Sequence, residues 1–183
     1  ECCPDFPCVS PDAAQKMQSA IKAAAASGDS LGAVIECAAS GVPAGLGGAL
    51  FEGLEGRIAS IVFAVPAVKG IEFGAGFGVS ELRGSENNDA YIIKDGRISL
   101  ATNNAGGILG GISDGMPLIF RAAVKPTPSI AKTQRSVSLS EMTERELSVS
   151  GRHDPCIAPR AVPVIEAAAA IALLDAVLED SDE

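Results

Sequence analysis

Apolar residues recur at helical spacing in three stretches of the chain. Ser10, Pro11 and Asp12 have the composition of a helix start, and Gly28 predicts where that helix ends. The predicted inward face of this first helix consists of Ala13, Met17, Ala20, Ile21 and Ala24. A second helix is predicted from an inward face of Leu50, Leu54, Ile58, Ile61 and Val62. A third is predicted from about Pro159 to Leu178.

Strand patterns lie between these helices. Strands are predicted at Leu31 to Ala39 and Leu118 to Val124. Ile71, Phe73 and the alternating glycines 74, 76 and 78 predict a further strand, where something packs directly on the backbone. Tyr91 to Leu100 predicts a hairpin turning on Asp95-Gly96, and roughly 131–149 predicts a solvent-facing hairpin or ribbon. Without clean βαβ alternation, these elements predict an α+β fold, and the length predicts one domain over 1–183.

The most apolar run, Val162 to Leu178, raises the question of a membrane. Glu166 and Asp175 interrupt it, and it is shorter than a membrane span requires, so it predicts a buried core helix and no membrane partner. No basic stretch followed by an apolar one indicates a signal peptide. The chain starts at Glu1 without Met, and we expect that it was cut from a longer protein.

Charge and cysteine content narrow the classes of partner. The chain has 14 Lys+Arg against 23 Asp+Glu, a net charge of −9, which argues against nucleic-acid binding because that requires a basic face. An anion must therefore be bound by a local cluster of positive groups. The five cysteines form no CxxC pair, so we expect reduced thiols, a cytoplasmic location and no metal site.

Three loops have the composition needed to hold a planar, phosphorylated ligand. The glycines of Asn104 to Ser113 would let a flat ring approach the backbone, or would form a turn packed against a sheet. Lys125 to Ser129 offers an ammonium, two hydroxyls and two stiffening prolines, or is an exposed connection between strands. Arg152, His153 and Asp154 are three consecutive ionisable residues that would equally form a structural ion pair. Spacing leaves these alternatives open.

Ordered blocks of residues carry a more specific signal. They are Gly106-Gly107-Ile108-Leu109-Gly110-Gly111-Ile112-Ser113, Lys125-Pro126-Thr127, Gly151-Arg152-His153-Asp154-Pro155-Cys156 and Arg160-Ala161-Val162-Pro163. Earlier blocks are Ala39 to Gly47, Ala67 to Gly70 and Leu82 to Ser85. In this order they resemble the second half of chorismate synthase, from about Ser30 to Leu178.

The resemblance implies a fold in which helices lie between antiparallel sheets, of which this chain would be one of two duplicated halves. The family converts 5-enolpyruvylshikimate 3-phosphate to chorismate and phosphate by 1,4-anti elimination, and it requires reduced FMN. NADPH reduces that flavin on the enzyme, or a separate reductase does. The family enzyme is a cytoplasmic homotetramer, and its first half supplies two catalytic histidines that this chain lacks.

Site residues follow from the resemblance by position. Flavin contacts are expected from Ala67, Gly110 and Arg152, and from the loop Lys125, Pro126, Thr127, Pro128 and Ser129. Arg152 would also meet the substrate phosphate. Asp154 would orient the flavin or assist proton transfer beside it, the alternative being that it braces Arg152 or caps the following turn. Asn104 would form a polar edge to the glycine loop.

Two functions of different classes remain. The first is the cofactor-binding half of a chorismate synthase, inactive alone because the histidines and most substrate-binding arginines are missing. The second is a non-catalytic flavin- or anion-binding or assembly module that keeps the fold.

Overall fold

The structure, a computed structural model, describes residues 6–151 and 153–182. Its contacts divide the chain into two compact units. The first comprises the described residues of Glu1–Ala33 and Val124–Val162, and the second those of Val34–Ala123 and Pro163–Glu183. Arg152, predicted to contact both flavin and substrate, lies outside the described residues.

Residues 6–151 and 153–182 fold into helices, one three-stranded sheet and three hairpins, which confirms the predicted α+β class. In chain order the elements are α1 (Pro11–Ala26), β1 (Ala33–Ala39), α2 (Leu54–Ala64), β2 (Val68–Phe73), α3 (Gly84–Asn87), β3 (Tyr91–Lys94), β4 (Arg97–Leu100), β5 (Ile108–Leu109), β6 (Ile112–Ser113), β7 (Leu118–Val124), β8 (Gln134–Ser138), β9 (Thr143–Leu147) and α4 (Ala158–Asp182).

In the first unit, α1 begins and ends where its sequence predicts. The Ser10 hydroxyl accepts a hydrogen bond from the Ala13 amide at 3.3 Å, and Gly28 has a φ of +68° just beyond the last turn. The predicted inward face is wrong in part, because Ala14 and Ala24 are buried while Met17 is 50% exposed. A helix this rich in alanine has no dominant apolar face, so packing decides which side is buried.

In the second unit, β7 is the middle strand of the sheet β1-β7-β2. Its side chains alternate between buried and half-buried, and the rings of Phe73 and Phe120 lie 5.9 Å apart. The core side of α2 consists of Leu54, Ile58 and Val62. Leu50 is 90% exposed, so its predicted place on this face is wrong. The helix begins after Gly53, and Leu50 lies in a short 3₁₀ turn at Leu50–Glu52.

Two of the hairpins form where the sequence predicts them. Tyr91 pairs with Leu100 and Lys94 with Arg97, around Asp95 and Gly96, which both have positive φ. In the first unit, β8 and β9 form the hairpin predicted over 131–149.

The prediction that glycines 74, 76 and 78 belong to a strand is wrong. β2 ends at Phe73, and Gly76–Glu81 forms a 3₁₀ turn. The predicted close approach is nevertheless confirmed, because a Cβ on Gly74 would lie 2.0 Å from the Asn104 carbonyl oxygen.

The last helix is longer and more exposed than predicted. Of α4, Ile165, Ala168, Ala169, Ala172 and Ala176 are buried, whereas Val164, Ile171, Leu174, Val177 and Leu178 are 40–59% exposed. Within the described residues, Ala158–Ser181 has the length and composition of a membrane span, and 28% of its most apolar stretch is buried. The prediction that this run is too short for a span is therefore wrong. The predicted buried core helix is correct for only one side of α4, because the other side is exposed.

Candidate functional site

The first unit contains a cleft that brings two predicted site residues together. Ser129 and Asp154 come from separate loops and line the same space, whose volume is about 120 Å³. The remaining lining is Ala25, Gly28, Asp29, Ser30, Ile130, Ala131, Gly151, His153 and Pro155. A larger depression of about 410 Å³ follows Asp12, Gln15, Lys16 and Ser19 of α1, and no predicted site residue lines it. The smaller cleft is therefore the candidate site.

The loop Lys125–Ser129 follows β7, and side chains from outside the loop donate hydrogen bonds to its backbone. The Ser30 hydroxyl donates to the Thr127 carbonyl at 2.6 Å, and the Gln134 amide donates to the Pro128 carbonyl at 3.3 Å. Pro126 and Pro128 are exposed. The Thr127 hydroxyl oxygen is buried and has no hydrogen-bond partner among the described residues. A buried hydroxyl without a partner is costly, but this atom has no exposed surface and Thr127 does not line the cleft, so a ligand would reach it only if the loop moved.

The two lysines beside this loop differ in their pairing. Lys132 donates to the Asp29 carboxylate at 2.6 Å, and this contact, with the Ser30 amide, lowers the pKa of Asp29. Lys125 is exposed and forms no salt bridge within the part of the chain that the structure describes. Its predicted contact with the flavin phosphate stays a prediction.

Asp154 has both of its carboxylate oxygens in use. Oδ1 accepts from the Cys156 amide at 3.0 Å, and Oδ2 lies 2.5 Å from Nη2 of Arg160. These contacts cap the turn before α4, as in the structural alternative. The carboxylate still lines the cleft and is 29% exposed, so its catalytic role stays a prediction.

Asp29 and Ser30 line the cleft although the sequence did not single them out as ligand contacts, and His153, one of the three consecutive ionisable residues of the sequence analysis, lines it as well. Nε2 of His153 is buried without a hydrogen-bond partner among the described residues, and its ring lies against Gly151. The only sequence signal for Asp29 and Ser30 is their place in a turn-forming stretch between α1 and β1.

In the second unit, Ala67 has a strained backbone. Its φ is +74°, and the Val68 amide donates to the Val65 carbonyl at 3.3 Å across a turn with Pro66 at its second position. A positive φ at the third position is usual for glycine or asparagine. Ala67 is half-buried, and its predicted flavin contact stays a prediction.

In the glycine loop, Asn104 to Ser113, most of the glycines allow backbone segments to pack closely together. A Cβ on Gly106 would lie 2.4 Å from the Gly74 nitrogen, and one on Gly111 would lie 2.3 Å from the Gly48 carbonyl oxygen. Gly107 is similarly confined by Pro117. Gly110 faces open space with a φ of +61°, so a ligand has access to this predicted contact.

Asn104, predicted as a polar edge of this loop, serves the scaffold. Its side-chain amide donates to the Asn87 carbonyl at 3.1 Å. The Asp89 carboxylate accepts from the Thr102 hydroxyl at 2.6 Å and from the amides of Asn104 and Ala105 at 2.8 and 2.9 Å. Partial burial raises the pKa of Asp89, but these hydrogen bonds outweigh it and the net pKa is lowered.

Comparison with known proteins decides the family. The family model for chorismate synthase matches residues 3–178. The chain belongs to the chorismate synthase family. It is 54% identical to a chorismate synthase of Dehalococcoides mccartyi over 96% of this chain and 47% of that protein. It is 60% identical to one of Archaeoglobus fulgidus over 82% of this chain and 42% of that protein.

A solved chorismate synthase structure shares the fold. It matches with a TM-score of 0.75 and 32% identity, over 93% of this chain and 44% of that chain. The chain spans about half the length of the curated relatives it matches.

Proposed function

We propose that the chain is the cofactor-binding half of a chorismate synthase. The full enzyme would convert 5-enolpyruvylshikimate 3-phosphate to chorismate and phosphate by 1,4-anti elimination, as a cytoplasmic homotetramer that requires reduced FMN. Family membership over residues 3–178 supports the reaction, and coverage of 47% of the Dehalococcoides relative supports the assignment to one half.

The residues of the first unit fit a phosphorylated flavin. The observation that carries this is the buried Thr127 hydroxyl without a described partner, two residues from the exposed Lys125. After a movement of the loop that exposes its hydroxyl, Thr127 would hold a ribityl or phosphate oxygen, and Lys125 would stabilise the phosphate charge. The flavin contacts expected from Gly110 and Ala67 rest on the family resemblance and stay separate predictions for the second unit. Bound reduced flavin would supply an electron-rich ring beside the substrate, with no net redox change.

The cleft is small for such a ligand. Pockets that bury a drug-sized molecule measure roughly 300–1,000 Å³, whereas this cleft measures about 120 Å³. The first unit alone would therefore bind FMN weakly, through part of the site.

Catalysis needs groups that the family supplies from its other half. In the elimination, the C–O bond to phosphate breaks with its electron pair on oxygen, and a ring C–H loses its proton as a C=C bond forms. A proton acceptor is therefore required. The single histidine of the chain, His153, is not one of the family's catalytic pair. Asp154 would position flavin or assist proton transfer, and Arg152 would bind the leaving phosphate.

A titration with FMN tests the cofactor site. Thr127→Val removes the hydroxyl while keeping the shape, and it should weaken FMN binding about 3–10-fold. Thr133→Val, at an exposed position of the same unit, is the matched control and should bind FMN like the original chain. Equal affinities for all three proteins would contradict the flavin site.

An activity assay tests whether the catalytic groups come from the other half of the enzyme. With reduced FMN and substrate in anaerobic buffer, the 183-residue chain should form no chorismate. Fused to the remaining half of the Archaeoglobus relative, which is 60% identical over the matched part, it should regain turnover. Turnover by the chain alone would refute this origin of the catalytic groups, and FMN binding without turnover in the fusion would instead support a binding module.

A further inference from the structure

A short segment between α1 and β1 contacts both loops of the candidate site. The segment is Asp29–Gly32, and it belongs to the first unit together with both loops. Asp29 pairs with Lys132 at 2.6 Å, just beyond the predicted flavin loop. The Leu31 amide donates to the Pro155 carbonyl at 2.7 Å, next to Asp154.

Ser30 holds the flavin loop directly. Its hydroxyl donates to the Thr127 carbonyl at 2.6 Å across 97 positions of sequence. The bond engages the backbone of Thr127 and leaves its buried hydroxyl without a described partner. Ser30 therefore fixes where that hydroxyl lies without using it.

Gly32 allows the loop to approach. A Cβ at this position would lie 2.7 Å from the Val124 carbonyl oxygen and 3.1 Å from Cδ of Pro126. Both neighbours are constrained, one as backbone and the other as a proline ring, so a side chain would displace the start of the loop. Here the glycine is needed for space rather than for an unusual φ.

We propose that Asp29–Gly32 is a positioning segment for the cofactor, in which Ser30 and Gly32 set where the Thr127 loop lies relative to Asp154, and that ligand affinity depends on them. This rests on the proposed flavin site. The segment holds two loops that are distant in sequence, so disturbing it changes both of them together.

The test measures amide hydrogen exchange in the two loops and FMN affinity in the same set of variants. Ser30→Ala and Gly32→Ala should each speed amide hydrogen exchange in residues 125–131 and 153–156 about 3–10-fold and weaken FMN binding by a similar factor. Ser30→Thr keeps the donor and should restore both properties. Ser19→Ala is the matched serine control, because among the described residues its hydroxyl bonds only to the Gln15 carbonyl within α1. Gly78→Ala is the glycine control, because it faces open space.

Each outcome decides one of the two proposals. Unchanged exchange in both loops would overturn the positioning role, as would faster exchange with unchanged FMN affinity. A lower melting temperature with neither change would mean that the segment acts on stability alone, which also overturns it. If the original chain binds no FMN, the flavin site proposed for this chain fails, while the exchange measurements still decide whether the segment positions the loops.

Discussion

Removing the hydroxyl of Ser113 should destabilise the second unit markedly. Ser113 is 4% exposed and ends β6. Its Oγ accepts from the Leu46 amide at 2.9 Å and donates to the Pro43 carbonyl at 2.6 Å. Ser113→Ala would leave a buried amide unpaired, which costs about 1–3 kcal/mol, and would lose a second bond worth about 0.5–1.5 kcal/mol. We expect a total loss of about 2–4 kcal/mol.

Urea unfolding followed by circular dichroism measures this loss. The midpoint should fall at an unchanged slope, because the same surface is exposed on unfolding. Ser80→Ala is the control, since in the described part of the chain that exposed hydroxyl bonds only to the nearby Phe77 carbonyl, and it should cost less than about 0.5 kcal/mol. A loss for Ser113→Ala no larger than that of the control would refute the reasoning that the loop around Leu46 depends on this side chain.

Three further outcomes follow from the second unit. Asp89 has a lowered pKa, so the stability that it adds is complete above its unfolded-state pKa of about 4 and is lost as pH falls through the folded value. In Asp89→Asn the melting temperature should therefore fall less between neutral and acidic pH than in the original chain. Ala67→Gly should stabilise by about 0.5–1 kcal/mol in thermal unfolding, because relief of a positive φ exceeds the added chain entropy. Gly74→Ala should cost about 3 kcal/mol or more, against almost nothing for Gly78→Ala, and equal melting temperatures would contradict the close contact with Asn104.

Local signals predicted the elements whose structure depends on neighbouring residues. Ser10-Pro11-Asp12 starts α1 because a capping hydroxyl and a preset proline φ act within one turn. Asp95-Gly96 turns a hairpin because both residues accept a positive φ. The strand predicted at Leu118 to Val124 forms with those bounds as β7. The ordered sequence blocks also identified the family.

Tertiary contacts decided the features that local patterns leave open. Leu50 has the spacing of a helix face but lies outside α2, because Gly53 precedes the helix and Leu54 bonds to Gly111. The glycines of the loop before Ser113 suit a ligand cradle or a packed turn equally well in sequence. Only the approach of distant backbone shows that Gly106 and Gly111 are packed and Gly110 is open.

The candidate site shows the same division. Lys125–Ser129 and Asp154 were predictable as separate loops from their composition and blocks. The meeting of Ser129 and Asp154 in one cleft, and the attachment of their loops to Ser30 and Leu31, depend on contacts between residues far apart in the chain. The spacing of residues along the sequence does not predict such contacts. They form only when burial and hydrogen bonding across the whole unit offset the entropy of closing long loops.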